Sequence, residues 1–112
     1  MIALREYLDH DGHSPFREWR GKLNAEARRK VTTALYRVAL GNFSNVQGVG
    51  GSVFECRINF GPGYRVYFGK DGEQIVILLG GGTKQRQQND ISQALVRWED
   101  YKQRKKQRKE EE

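Results

Sequence analysis

The chain has 112 residues, 37% of them hydrophobic and 11% aromatic, enough for one packed core and too few for two. Its net charge of +6 is the electrostatic signature of a partner rich in phosphates, such as a nucleic acid. A lone cysteine excludes an internal disulfide; no apolar run reaches spanning length, and the first residues lack the basic-then-apolar plan of a signal peptide, so a cytoplasmic protein without a membrane partner is expected.

In chain order, residues 2–8 read as a short strand followed by the polar loop Asp9-His-Asp-Gly-His13. Ser14-Pro15 then supplies a cap and a first-turn proline, and Phe16, Trp19 and Leu23 recur at helical spacing. Gly21 and Asn24 predict a break and a second cap. Ala27, Val31, Ala34, Leu35 and Val38 form one stripe closed by Gly41, so the two segments make a helical hairpin. Residues 41–52 are rich in glycine and asparagine and read as a connector.

Three strands are predicted next, over 53–60, 63–70 and 74–80, with Gly61-Pro62-Gly63 and Asp71-Gly72 as turns. Ile75-Val-Ile-Leu-Leu79 is apolar on both faces, which suits an interior strand. A last helix starts near Thr83 or Lys84 and carries Ile91, Ala94, Leu95 and Trp98 on its apolar side. The order strand, helix, helix, three-strand meander, helix predicts an α+β fold, with the helical hairpin on one face of a mostly antiparallel sheet. Residues 1–102 form one domain, and 103–112 are expected to be a charged, solvated tail. From residue 102 onward the chain holds six cations against three glutamates, so half the net charge belongs to the body.

The hairpin Glu55-Cys-Arg-Ile-Asn-Phe-Gly-Pro-Gly-Tyr-Arg-Val-Tyr-Phe68 is the most informative stretch. Pleating sends alternate side chains to opposite faces. Phe54, Cys56, Ile58 and Phe60 then share the core side with Tyr64, Val66 and Phe68, while Glu55, Arg57, Arg65 and Tyr67 gather on the other. A patch of this kind can hold a phosphate and move protons around it. Cys56 falls in the apolar row, as a buried, inert thiol.

These pieces, together with Leu4-Arg-Glu-Tyr7, Ser14-Pro-Phe-Arg-Glu-Trp19, Leu78-Leu-Gly-Gly-Gly-Thr-Lys84 and Asp90-Ile91, resemble the RelE/ParE superfamily of type II toxin–antitoxin toxins. The HigB-like addiction module killer branch is the nearest within it. The resemblance implies a RelE-like fold and a toxin neutralised by a cognate antitoxin, possibly a helix-turn-helix protein. It further implies cleavage of messenger RNA on the ribosome, by attack of a ribose 2′-hydroxyl on the adjacent phosphate, with no metal and no cofactor. ParE members instead inhibit DNA gyrase, so the shared fold leaves the activity open.

Cleavage by an internal 2′-hydroxyl needs a base, stabilisation of a more negative transition state, and an acid for the leaving oxygen. Arg65 matches the arginine of the family's Gly-Tyr-Arg motif, and its fork suits phosphate oxygens; the competing reading is an ion pair with Glu55. Lys84 stands where RNA-cleaving relatives carry a catalytic or phosphate-binding cation. Arg57 is a second phosphate ligand, Glu55 a candidate base, and Tyr67 a stacking or proton-donating group. Arg86 extends the RNA-binding track. No histidine or tyrosine lies between Arg86 and Asp100, where several relatives carry one, so the acid and base stay open. Asp9-His10-Asp11-Gly12-His13 has the look of a metal site but lacks a further ligand at fitting spacing, and no metal is expected there. The rival readings are a gyrase-binding toxin without catalysis and an inert RNA-binding module. Arg65→Ala is expected to separate them by abolishing nuclease toxicity while leaving the fold intact.

Overall fold

The computed structural model describes residues 1–111. Its elements are β1 (Ala3–Glu6), α1 (Pro15–Gly21), α2 (Ala25–Ala39), β2 (Val46–Gly50), β3 (Val53–Ile58), β4 (Tyr64–Asp71), β5 (Ile75–Thr83) and α3 (Gln87–Glu111), with a 3-10 turn over Lys84–Arg86 leading into α3. The fold is α+β: a five-stranded sheet of order β1-β5-β4-β3-β2, parallel only between β1 and β5. No helix among the described residues is long and apolar enough to cross a membrane.

The helix starts follow from the caps. Ser14 Oγ accepts from the Arg17 amide at 3.0 Å, and Asn24 Oδ1 accepts from the Ala27 amide at 2.9 Å. Val31, Leu35 and Val38 of the hairpin then pack with Cys56, Ile58, Val66, Phe68, Val76 and Leu78 on one sheet face. The opposite face is covered by α3, whose Ala94 and Trp98 meet Val53, Tyr67, Ile77 and Leu79. Each strand therefore divides its side chains between two cores. Burial of Cys56 pushes its thiol up to about 11, which keeps it protonated and unreactive.

Two expectations are corrected. The glycine-rich connector contains a strand, β2, paired with β3 as an outer hairpin, so the order is β-α-α-β-β-β-β-α. Val46 and Val49 do pack against the two cores, but the interspersed glycines mask the alternation. The turn that joins β2 to β3 places Gly50, Gly51 and Ser52 at positive φ, so glycine here marks a reversal rather than an unstructured link. The second correction is the charged tail: α3 continues without a break through Glu111, while Glu112 lies outside the described residues.

One irregularity positions the site. Tyr67 pairs with Gly80 and Phe68 with Leu78, which leaves Leu79 as an extra residue in β5. Beyond this bulge β5 runs as Gly80, Gly81 and Gly82. β1 pairs only with 75–78, so this glycine segment has no β1 partner beside it.

Candidate functional site

Cross-strand register assembles the predicted residues on the α3 face. Arg57 lies opposite Arg65, Arg65 opposite Gly82, Glu55 opposite Tyr67, and Tyr67 opposite Gly80. Two arginines directly across a strand pair repel each other, and Glu55 resolves the conflict. Its Oε1 accepts from Arg57 Nε at 3.0 Å, and its Oε2 accepts from Gln87 Nε2 of α3 at 2.9 Å. Arg65 Nε stands 3.4 Å from the same Oε2, close enough to pair electrostatically but not aligned for a hydrogen bond.

Burial separates the members of this group. Glu55 is fully buried and Arg65 is 7% exposed. The Arg57 side chain keeps 43% of its surface in solvent. Glu55 thus serves as the anchor of two arginines and a glutamine, with both oxygens occupied. One carboxylate against two guanidiniums leaves a net positive charge, presented outward through Arg57.

Tyr67 is buried beneath α3 with 1% exposure. Burial, reinforced by the charges of Glu55 and Asp90, pushes its phenol up to about 12, so the hydroxyl stays protonated at neutral pH. Its oxygen is enclosed and has no hydrogen-bond partner. That position rules out stacking on an exposed base.

Lys84 reaches this end of the sheet through its backbone: its amide donates to Gly63 O at 2.8 Å, docking the 3-10 turn onto the β3–β4 turn. Gly63 has φ +80°, a conformation that favours glycine and lets the two turns meet. Lys84 and Arg86 are both exposed. The cations available to a polyanion at this edge are therefore Arg57, Lys84 and Arg86, with Arg65 held behind them.

Three contributors come from α3 and were not assigned to the site from the sequence: Gln87, Asp90 and Arg97. With Ala94 they recur at one helix-face spacing, the signal by which they could have been found. Asp90 lies directly over Gly82, and burial raises its carboxyl above the ordinary range, with Arg86 and Arg97 pulling it back. Arg97 Nη1 donates to Leu79 O at 3.0 Å.

The Asp9–His13 loop has an explanation that needs no ion. Ligand atoms of Asp9, Asp11 and His13 lie within 4.8 Å of one another. Asp9 Oδ1, however, accepts the backbone amides of Asp11 and His13 at 2.9 Å each, closing an Asx turn.

Fold and site together define a small basic α+β protein with a cationic sheet edge backed by a buried Arg–Glu–Arg group. The chain is 42% identical over 82 residues to an uncharacterized protein of Haemophilus influenzae, a match that covers 72% of this chain and 83% of the relative, and it belongs to the same family as that protein. No family model matches the chain.

Proposed function

We propose that the protein is the toxin of a type II toxin–antitoxin pair, with a RelE-like fold, and that it acts in the cytoplasm as a ribosome-dependent messenger RNA endoribonuclease. The observation that carries the reading is the cationic edge: Arg57, Lys84 and Arg86 come from two separate parts of the chain to the end of the sheet where the β3–β4 turn and the 3-10 turn dock. Phosphate contacts of this kind need exposed, clustered cations on a rigid support. The helical hairpin on one face of a mostly antiparallel sheet agrees with the fold that the ordered motifs imply.

Within this reading the roles shift among the residues. Arg57 and Lys84 touch the RNA phosphates and stabilise the charge that builds on the phosphorane-like state. Arg65 and Glu55 act as positioning residues that hold Arg57 at its angle. Arg65→Ala is then a poor discriminator, because it strands a buried carboxylate and threatens the fold. Arg57→Ala and Lys84→Ala are the better variants.

The test is induction of the protein with 5′ ends of messenger RNA mapped with and without translation. Cuts within translated frames, lost in Arg57→Ala and Lys84→Ala proteins of unchanged unfolding midpoint, are the expected result. A second reading, a gyrase-binding toxin without catalysis, is favoured by one observation: Glu55 is clamped and Tyr67 is buried, which removes two proton-transfer candidates. Relaxed plasmid accumulating while messenger RNA stays intact would establish that alternative.

A further inference from the structure

Between α1 and α3, beside the glycine segment of β5, lies a cavity of about 320 Å³. The run Gly80-Gly81-Gly82 exists for space. A Cβ on Gly81 would strike the Trp19 ring, one on Gly80 the Arg97 guanidinium, and one on Gly82 the Asp90 carboxylate. The absence of side chains lets all three neighbours rest on the strand, and Trp19, Asp90 and Arg97 then wall the cavity together with Tyr67.

Two enclosed oxygens among these residues, Tyr67 Oη and Asp90 Oδ2, have no hydrogen-bond partner. A buried polar atom without a partner is costly, and two belonging to the wall of one cavity call for a ligand that supplies the missing bonds. Burial keeps the Tyr67 hydroxyl protonated and disfavours charge on Asp90 in the empty pocket. The mouth differs from this wall. Exposed Arg86 and Lys22 stand there, partly offset by Glu18.

We infer that this cavity is a nucleotide subsite, taking one RNA nucleotide with its base inward and its phosphate at the cationic mouth. The inference rests on the RNA-directed reading above and extends it, because Arg86 belongs both to the cationic edge and to the mouth. Asp90 Oδ2 accepts from an exocyclic amino group of the base, and the Tyr67 hydroxyl pairs with the same polar edge. Arg86 and Lys22 pair with the phosphate. Recognition of a splayed base by its polar edge in a closed pocket is how single-stranded RNA is commonly read. The volume is near the lower end of ligand pockets, roughly 300–1,000 Å³. Bases with an amino group (adenine, cytosine, guanine) are therefore preferred over uracil.

The experiment is titration of the intact protein with AMP, CMP, GMP and UMP at low salt, followed by calorimetry and by NMR shifts at Trp19 and Gly81. At least one amino-bearing nucleotide is expected to bind about tenfold or more tighter than UMP, the size of effect a hydrogen bond to a charged group supplies. Tyr67→Phe, which deletes only the unpartnered oxygen, should weaken that binding by about fivefold or more without lowering the unfolding midpoint. Asp90→Asn should bring the preference over UMP close to one. The subsite is overturned if no nucleotide binds, if UMP binds as tightly as the others, or if Tyr67→Phe binds like the parent. Selective binding without messenger RNA cleavage would uphold the subsite and sink the nuclease reading; cleavage without nucleotide binding would do the reverse.

Discussion

The two halves of α3 are tied to the body by different means. In the C-terminal half the Tyr7 hydroxyl donates to Asp100 Oδ2 at 2.6 Å, and Arg104 reaches the same carboxylate at 2.6 Å. The Tyr101 hydroxyl donates to Asp71 Oδ2 at 2.6 Å, and Lys105 closes on the other oxygen. In the first turns, Gln87 shares Glu55 with two arginines, while Asp90 Oδ2 and the Tyr67 hydroxyl beneath have no partner. Trp98 Nε1 is also unpartnered, but its ring lies flat on Gly69 within the core, away from the glycine segment. Paired carboxylates hold a helix in place; unpaired polar atoms around a cavity mark where something else is to bind. The same helix does the first job at one end and the second at the other.

The largest expected effect breaks the N-terminal arrangement. Glu55→Ala leaves Arg65 buried without its carboxylate, and the loss should be about 3–5 kcal/mol, read as a lower urea midpoint. A loss under about 1 kcal/mol would mean that Glu55 is not the anchor described.

A matched pair of deletions sharpens the contrast. Tyr101→Phe removes a satisfied hydroxyl and should cost about 1–2 kcal/mol, since it strands part of the Asp71 carboxylate. Tyr67→Phe removes an unsatisfied one and should cost nothing or stabilise slightly. Equal losses for the two variants would erase the distinction between the halves.

The smallest effect is in pH dependence. Lys105, and then the Tyr101 hydroxyl, hold Asp71 below the ordinary carboxylate range, and the Tyr7 hydroxyl does the same for Asp100. Both contribute stability above the unfolded carboxylate pKa of about 4, and it drains away as pH falls through their lower folded values. Asp90 runs the other way. Its raised folded value makes its ionisation a penalty above about pH 4, absent at lower pH. Urea midpoints from acid to neutral pH should rise more steeply in Asp90→Asn than in the parent, and a shallower rise would contradict the assignment.

Local chemistry determined much of this protein. Ser14 and Asn24 announced both helix starts because a cap needs only its own next three residues. Two-residue pleating put Glu55, Arg57, Arg65 and Tyr67 on one face whatever packed there. What packs there was decided by tertiary structure: α3 closes over Arg65 and Tyr67, and a single buried glutamate holds both arginines, neither visible from strand alternation. The parallel pairing of β1, the strand within the glycine-rich connector and the helical course of the charged tail were likewise set by distant partners. Gly80-Gly81-Gly82 shows the limit most plainly. In sequence it is only a break in an apolar strand, and only with Trp19, Arg97 and Asp90 folded against it do the missing side chains become a cavity wall.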